Sequence, residues 1–401
     1  MKKENVYGSL GILPKEEMLE AKQNFQKLTI GLPKETSFQE NRISLSPDSV
    51  SLLTHNGHKI IIENSAGEES NFSDKEYSDA GAEIVFSKEE VYESDVIVKI
   101  EPPTKQELKL LKKGQQLISA IQLQTRDKNY FDELIKKGIT SVAIEQIMDK
   151  EGKLPILRSM SEIAGNTSIL IASEYLSNVN KGKGLMLGGV AGLSPTDIVI
   201  IGAGTVGEYA SRTALALGCN VKVFDSSLTR LRRLHQYTDR NVSTSLIQPK
   251  SLRKALKRAD VVIGALRSGD GRTPCVVSEA MVKDMKEGSV IVDVSIDHGG
   301  CFETSEVTTH KKPIFNKHGI VHYCVPNIAS RVARTSSFAI CNVISQILLK
   351  MGEEGGVRNL MKKDEGIRRG VYTFKGMMTN KTLSKMFDFP YKDLDLIITA
   401  I

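Results

Sequence analysis

The chain has 401 residues, of which 54 are basic and 48 acidic, for a net charge of +6. Hydrophobic residues make up 40% and charged residues 25%, a balance typical of a globular protein, which excludes a disordered or fibrous chain. The small positive excess includes no basic block with interleaved aromatic residues, so nucleic-acid binding is not indicated. At roughly 100–200 residues per domain, the length predicts two or three domains.

The cysteines and the apolar runs exclude two further classes of protein. The five cysteines lie in the second half of the chain and form no CxxC pair, so we expect thiols in the reduced state and no metal site. No apolar run reaches the length of about 18 residues that a membrane-spanning helix needs. No apolar segment follows the lysines of the N-terminus, as a secretory signal would require. We therefore expect a cytoplasmic protein with no membrane span.

The first part of the chain reads as an arm followed by alternating strands and helices. Residues 1–27 are polar and helix-prone and are predicted to form an N-terminal arm. Over 28–154, short β-branched runs alternate with helical stretches, which predicts βαβ units and a parallel sheet. One of these helices is expected over Lys105–Lys113, where Thr104 and Glu107 have the spacing of a capping box.

A second series of elements begins near residue 155. The segment MSEIAGNTSILIASEYLSN has apolar residues at helical spacing without proline, which predicts a long helix that joins two lobes. Strand-like runs then recur up to residue 333, and helical stretches fill 334–401. The predicted fold class is α/β, with two Rossmann-like parallel-sheet domains and a cleft between them. The first domain, over 28–154, would be completed by the C-terminal helices, and the second would span 155–333.

A glycine-rich turn in the second domain indicates a dinucleotide site. The strand Ile198–Ile201 runs directly into a GxGxxG motif that opens a helix. In such motifs the glycines allow a tight turn, close approach of a pyrophosphate and close packing of helix on strand, and the helix N-terminus attracts the phosphates. The cofactor-binding residues predicted from the motif are Gly202, Gly204, Thr205, Val206 and Gly207.

Asp225 ends the next strand and bears on the choice of cofactor. It lies eighteen residues after Gly207, where a carboxylate can accept hydrogen bonds from the adenosine ribose and would repel a 2′-phosphate. This position favours NAD over NADP. Arg230, one turn further on, could instead meet a 2′-phosphate, so we count it among the candidate cofactor residues.

Other stretches between Leu28 and about Ser345 form one set with this turn. They are GLPKE with NRISLSP, GHKIIIENSAG, LPILRSMSEIAG, LMLGGVAG, ADVVIGAL, VDVSIDHGGCFETSEVTTH and HYCVPNIASRVARTSS. Together they resemble the alanine dehydrogenases, which share a fold with the transhydrogenase α subunit and the lysine-forming saccharopine dehydrogenase. The resemblance implies a substrate domain facing an NAD domain, and reversible oxidative deamination of L-alanine to pyruvate and ammonium. It also implies a homo-oligomer, a hexamer or a dimer.

The resemblance also assigns residues to roles. Arg42 falls on the arginine that binds the substrate carboxylate, and Lys99 on the first of two substrate lysines. Asp297 falls on the active-site aspartate beside the nicotinamide ribose. Further cofactor contacts are implied for Ser161, Ala265, Leu266, Val325 and Asn327.

Three positions depart from the family pattern. Glu101 stands where the second lysine grips the keto acid, Gln122 where the catalytic histidine lies, and His298 where a glutamine is usual. Glutamine cannot take up a proton at a useful pH, so Asp297 or His298 would have to carry it. Because Lys99 and Glu101 stand two residues apart on a predicted strand, they would share a face and could form an ion pair. We expect weak or absent activity with L-alanine.

Three functions remain open on the sequence alone. The first is an NAD-dependent amino-acid dehydrogenase with a small-molecule substrate, L-alanine or a related amino acid. The second is a non-catalytic or regulatory NAD-binding protein with a degenerate substrate site. The third is a transhydrogenase-like hydride carrier that works with a partner.

Overall fold

The computed structural model describes residues 25–122, 126–238, 241–267 and 271–400. The predicted arm over 1–27 therefore lies almost entirely outside the described residues. The described chain divides into two compact units. The first contains the residues up to Leu157 together with those from Ala333 onward, and the second is Arg158–Val332.

Each unit is built on one sheet. In chain order the strands are β1 Thr29–Leu32, β2 Lys59–Glu63, β3 Glu83–Val85, β4 Val96–Val98, β5 Gln116–Ser119, β6 Thr140–Ala143, β7 Asp197–Ile201, β8 Asn220–Asp225, β9 Ser243–Leu246, β10 Val261–Gly264, β11 Val290–Asp293, β12 Ile314–Lys317, β13 Ile320–Tyr323, β14 Val371–Phe374 and β15 Met377–Met378.

The α-helices alternate with these strands along the chain. They are α1 Pro47–His55, α2 Asp74–Asp79, α3 Lys88–Val91, α4 Lys105–Leu110, α5 Lys128–Lys136, α6 Pro155–Leu176, α7 Thr205–Ala216, α8 Leu228–Tyr237, α9 Pro249–Leu256, α10 Glu279–Lys283, α11 Ala333–Glu353, α12 Val357–Lys363, α13 Glu365–Gly370, α14 Lys381–Phe387 and α15 Leu394–Ala400. Short 3-10 turns occur at Glu68–Ser70, Ile144–Gln146, Asn178–Asn180, Val294–His298 and Ile328–Val332.

The two sheets confirm the predicted α/β class. The first has the order β15-β14-β6-β5-β4-β1-β2-β3 and the second β12-β13-β11-β10-β7-β8-β9. All pairings are parallel except those of β14 with β6, β14 with β15, and β12 with β13. The C-terminal segment joins the first unit, but it also adds β14 and β15 to the sheet, where the sequence predicted helices alone.

The central strands are apolar because helices cover both faces of each sheet. The strands β4, β6, β10 and β11 are buried along their whole length. Continuous Val and Ile runs of this kind are typical of doubly covered parallel sheets. The carboxyl ends of such strands meet at one edge of the sheet, and most of the candidate site residues follow those ends.

The capping box of α4 is confirmed, but the helix is shorter than predicted. The Thr104 hydroxyl accepts the Glu107 N–H, and the Glu107 carboxylate accepts the Thr104 N–H at 2.9 Å. The helix ends at Leu110 and does not continue to Lys113. Leu111 leaves the helix with an extended ψ of 133° and buries its side chain in the core of the first unit, which stops the helix there.

One segment of the structure passes a simple test for a membrane helix. By length and composition, Ile328–Glu353 is apolar enough to span a bilayer. Half of its most apolar window is buried inside the protein, and one such helix is weak evidence for a membrane span. The inner face of α11 includes Ile340, Ile344 and Leu348, which are all at most 1% exposed.

Candidate active site

The glycine turn lies between β7 and α7 in the second unit. Gly202 has φ +118°, and a β-carbon there would come within 2.3 Å of the Ala265 carbonyl oxygen. A β-carbon on Gly207 would stand 1.8 Å from the Gly202 carbonyl oxygen. Both positions therefore require glycine for the turn to close. At Gly204, by contrast, a β-carbon would meet no atom of the described residues within 4 Å.

The open space at Gly204 adjoins the start of a helix. Gly204 is the N-cap of α7, and no side chain caps the helix there. Thr205 and Val206, the first two helical residues, are half-buried. Uncapped N–H groups at the start of a twelve-residue helix, next to an unfilled space, suit a phosphate group.

Asp225 is held against this turn. One carboxylate oxygen accepts the Ala203 N–H at 2.7 Å, and the other accepts the Ser227 N–H at 2.7 Å. Arg230 Nη1 lies 3.6 Å from the same carboxylate. Arg230 is therefore already beside an anion, whereas a 2′-phosphate would have to approach a carboxylate that is 1% exposed.

Three more of the predicted cofactor residues lie near the glycine turn. Ala265 and Leu266 follow β10 directly, and the Ala265 N–H donates to the Ile201 carbonyl at 2.8 Å. Ser161 lies one turn before Gly165 on α6. A β-carbon on Gly165 would be 2.5 Å from the Val206 carbonyl oxygen, so α6 packs directly on the first turn of α7.

A second loop of the same unit holds Asp297 and His298. Both residues belong to a 3-10 turn that follows β11, and Asp297 is exposed. The Asn327 N–H donates to Asp297 Oδ1 at 2.8 Å, which brings the two predicted residues together. The Val325 side chain is 2% exposed and belongs to the hydrophobic core, so only its backbone can face a cofactor.

The surroundings of His298 favour the neutral form of its imidazole. Burial lowers its pKa, Arg267 lowers it further, and the opposing charge of Asp297 does not compensate. A neutral imidazole can accept a proton, which is the capacity that Gln122 lacks.

In the first unit, Arg42 is bound by a carboxylate of the protein itself. Its Nε donates to Glu40 Oε1 at 2.7 Å, and its Nη2 contacts Glu40 Oε2. This is the bidentate geometry in which an arginine would hold a substrate carboxylate. A substrate at Arg42 would therefore compete with Glu40 or share the guanidinium with it.

The predicted pairing of Lys99 with Glu101 is wrong. The strand β4 ends at Val98, so Lys99 and Glu101 are not on a common strand face. Lys99 Nζ instead lies 3.2 Å from Glu35 Oε2 and 3.0 Å from Glu107 Oε1. Burial acts to lower the pKa of Lys99, but the two carboxylates outweigh it and raise the pKa.

Glu101 faces Glu40 and Arg42. Burial and the charge of Glu40 raise the pKa of Glu101 to about 8, against the opposing effect of Arg42. Glu101 is therefore mostly protonated at neutral pH. The group formed by Glu40, Arg42 and Glu101 then has no net positive charge.

Gln122 adopts a left-handed backbone with φ +47°. Its N–H and that of Ile121 donate to Glu145 Oε1 at 3.3 and 2.8 Å. Glu145 Oε2 is buried and has no hydrogen-bond partner among the described residues, and burial raises the pKa of this carboxyl. A second protonatable carboxyl therefore lies beside the position where the family has its histidine.

Sequence reasoning missed the carboxylates that surround the substrate residues. Glu35 and Glu40 lie in a polar loop with no pattern that marks them as buried. Glu107 was assigned only to the capping box, although it also binds Lys99 and Lys88. These partners could have been sought in the GLPKE stretch and the polar loop after it. Glutamates near a buried arginine and a buried lysine are expected to pair with them.

Comparison with known proteins agrees with this architecture. The Alanine dehydrogenase/PNT N-terminal domain family matches residues 31–164, and the Alanine dehydrogenase/PNT C-terminal domain family matches 168–381. The chain is 37% identical to alanine dehydrogenase 2 of Staphylococcus aureus strain USA300 over 369 residues, which covers 92% of this chain and 99% of that protein.

Solved structures give the same result. An L-alanine dehydrogenase superposes with a TM-score of 0.83 at 33% identity, over 90% of this chain and 99% of that one. A transhydrogenase from Sinorhizobium meliloti superposes with a TM-score of 0.75 at 22% identity, over 88% and 99%, which shows a shared fold. The chain is an oxidoreductase-type, two-domain protein that belongs to the alanine dehydrogenase/PNT family.

Proposed function

We propose that the protein is an NAD-dependent amino-acid dehydrogenase that oxidatively deaminates a small L-amino acid. The observation that carries the proposal is the glycine turn with its open, uncapped helix start beside Asp225. Family membership over most of the chain supports the reaction class. The non-catalytic and hydride-carrier alternatives would use the same turn, and the higher identity to an L-alanine dehydrogenase (33%) than to a transhydrogenase (22%) favours the dehydrogenase over the hydride carrier.

The residues of the second unit fit a nicotinamide dinucleotide. Gly204 offers the room that a pyrophosphate needs, and Thr205 and Val206 provide backbone N–H groups toward it. Asp225 favours NAD over NADP, because its buried carboxylate and its partner Arg230 leave no unopposed cation for a 2′-phosphate. When bound, NAD accepts the hydride from the substrate carbon.

The chain's own side chains supply charge and proton transfer. Arg42 is the group that we expect to bind the substrate carboxylate, once Glu40 gives up part of its bidentate contact. Lys99 is charged and forms buried ion pairs with Glu35 and Glu107, and it thereby orients both carboxylates. Asp297, fixed through Oδ1 by Asn327, takes a proton from the attacking water, with neutral His298 beside it as a second acceptor.

L-Alanine should be a poor substrate. With Glu101 protonated, the group formed by Glu40, Arg42 and Glu101 has no net positive charge to attract a carboxylate. When Glu101 ionises, the group becomes negative. A unit charge about 4 Å away is worth roughly 4 kcal/mol at an effective dielectric near 20, before desolvation and screening are subtracted. Even part of this energy corresponds to a tenfold loss of affinity.

An enzyme assay tests the proposal. NADH formation is measured with NAD and a panel of L-amino acids, and NADH consumption with 2-oxo acids plus ammonium. We expect turnover with at least one amino acid, and none with the same panel when NADP replaces NAD at equal concentration. Tight NADH binding by calorimetry without turnover of any substrate would instead support the regulatory alternative.

We infer three further properties from the family membership and the composition. The protein is expected to be a cytoplasmic homo-oligomer, a hexamer or a dimer, with no metal requirement. Light scattering after size-exclusion chromatography decides the oligomeric state, and activity after chelation decides the metal requirement.

A further inference from the structure

The loop that carries Asp297 and His298 begins and ends at one buried carboxylate. Asp293, the last residue of β11, is 1% exposed. Its Oδ1 accepts the Ser295 N–H at 3.0 Å, and its Oδ2 accepts the Cys301 N–H at 3.0 Å. The residues between these two contacts are those of the 3-10 turn and the two glycines that follow it.

Two more donors complete the shell of Asp293. The Ser305 hydroxyl donates to Oδ2 at 2.7 Å, and the Cys301 thiol lies 3.7 Å from Oδ1. Every polar partner of this carboxylate is thus a donor, and each oxygen accepts from two of them. Such a shell favours an ionised carboxylate, because the two backbone N–H groups can only donate, and an amide or a protonated acid would have to turn a hydrogen toward the Ser305 hydroxyl or the Cys301 thiol.

The surroundings are shaped to admit the carboxylate. A β-carbon on Gly264 would lie 2.6 Å from Asp293 Oδ1, and one on Gly300 would lie 2.7 Å from Oδ2. Gly300 also has φ +74°, which disfavours other residues there. Glycines from two different strand ends therefore leave the space that Asp293 fills.

The charge of Asp293 is not explained by stability. Burial raises its pKa to about 6, although Ser305 and the backbone donors oppose the shift. A raised pKa means that ionisation costs folding free energy: the favourable contribution exists below the unfolded value and is lost as the pH rises through about 6. At neutral pH the protein thus keeps an ionised group that costs folding free energy. A neutral side chain at this position would avoid that cost.

We infer that Asp293 is a positioning residue, whose ionised carboxylate holds both ends of the loop and so sets Asp297 and His298 for the reaction. This inference rests on the proposed function as far as the reaction is concerned. The restraint on the loop itself does not depend on it. Asp293 acts through the loop and does not need to touch substrate or cofactor.

Burial also lowers the pKa of His298 on the same loop, so the position of a limb in the pH profile does not identify Asp293, whereas its displacement on removal of a donor to Asp293 does. The ionisable groups that face Asp293 are the thiols of Cys275, Cys301 and Cys324, and all three have a raised pKa, so they stay uncharged near pH 6. Charged residues on the adjoining segments affect the pKa of these thiols or of His298. They are Arg267, Arg272, Glu303 and Glu306.

The test compares Asp293→Asn with Asp260→Asn. Asp260 is a buried aspartate of the same sheet that accepts the Asp197 N–H at 3.0 Å before β10, at the opposite end from Asp293. Amide hydrogen exchange of residues 294–301 is measured in both variants. We expect protection to fall at least tenfold in Asp293→Asn and to stay unchanged in Asp260→Asn. Equal protection in the two variants would overturn the inference.

Turnover provides the second readout. Asp293→Asn should lower kcat at least tenfold, with NADH affinity changed less than threefold. In the wild type the acidic limb of kcat should lie near pH 6. Ser305→Ala removes one donor to the ionised form, so it should move that limb up by about one pH unit. A limb that does not move, or a loss that follows thermal stability alone, contradicts a positioning role.

The two hypotheses fail differently. If the wild type turns over no amino acid, the proposed function is wrong, and hydrogen exchange still decides whether Asp293 restrains the loop. If turnover is found but exchange and kcat of Asp293→Asn match those of Asp260→Asn, the positioning role is wrong and the proposed function stands.

Discussion

The second unit makes its candidate dinucleotide site mainly from backbone, and the first unit makes its candidate substrate site from charged side chains. In the second unit, the glycine turn, the uncapped start of α7 and the N–H groups around Asp225 all follow from local chain geometry. In the first unit, Lys99 and Glu101 face carboxylates from other segments, and Arg42 is paired with the carboxylate of Glu40 two residues before it. A backbone site tolerates sequence change around it, whereas one substitution changes the charge of a side-chain site.

The comparison is tested most strongly at two glycines of the same turn. Gly207→Ala would place a β-carbon 1.8 Å from the Gly202 carbonyl oxygen, so we expect loss of the turn and of NADH binding. Gly204→Ala meets no atom within 4 Å, so the fold should survive. Its methyl group would fill the phosphate space, and NADH affinity should fall at least tenfold. Calorimetry and thermal melts measure both; Gly204→Ala that binds NADH normally would contradict the phosphate site.

Two glutamates of the first unit should affect stability with opposite dependence on pH. The pKa of Glu107 is lowered to about 2, since Lys99 and the Thr104 N–H outweigh its burial. Its contribution is therefore present above pH 4.5 and is lost as the pH falls through about 2. Glu107→Gln should destabilise the protein by about 3 kcal/mol at pH 7, because Lys99 loses one of its buried partners.

Glu101 should behave in the reverse manner. With its pKa raised from 4.5 to about 8, its contribution is present below pH 4.5 and is lost as the pH rises through about 8. Glu101→Gln should thus be more stable than wild type at pH 9, by roughly 2 kcal/mol, and the difference should shrink toward pH 5. Urea denaturation across this range measures both variants. If the free energies of unfolding of the two variants, relative to wild type, changed with pH in the same direction, the two glutamates would not lie in opposite electrostatic environments.

Alanine turnover sharpens the comparison on the substrate side. Glu101→Lys combined with Gln122→His restores the residue types that the family has at these positions. We expect at least a tenfold rise in kcat/KM for L-alanine, because the pocket gains positive charge and a titrating group. Glu83→Lys, an exposed glutamate of β3, is the matched control for the change in net charge. An equal rise in the control would exclude a local effect at Glu101.

The smallest effect is expected at Asp225. Asp225→Ala removes the carboxylate beside Arg230 and should weaken NADH binding several-fold while NADPH binding improves. Because Asp225 also accepts the Ala203 N–H, a thermal melt must accompany the titration. Tighter binding of NADPH than NADH by the wild-type protein would contradict the assignment and identify Arg230 as a phosphate ligand.

The strand, glycine turn and helix of the candidate dinucleotide site could be predicted from the sequence because their determinants are local. The glycine spacing, the strand before it and the Asp225 at the next strand end are contiguous patterns, and so is the Thr104 capping box. The order of strands within each sheet and the short length of α4 required packing information. Leu111, for example, ends its helix because its side chain is buried in the core.

The side-chain site could not be predicted in the same way. Lys99 was expected to pair with Glu101 from their spacing alone, yet its partners Glu35 and Glu107 come from a loop before and a helix after the strand. Glu40 lies two residues from Arg42, but nothing in the spacing indicates that it occupies the guanidinium. Asp293 was likewise part of a recognised stretch, while its four donors come from four separate groups of the folded loop.

The central claim is that this protein retains the dinucleotide site of its family and has lost positive charge at the substrate residues. The most direct test is kcat of the wild-type protein for L-alanine at saturating NAD, measured on a preparation whose NADH binding is confirmed by calorimetry. We predict a rate at least tenfold below the value of about 10 s⁻¹ that is ordinary for enzymes. A rate at or above that value would contradict the account, because it would show that Glu101 and Gln122 do not limit alanine turnover.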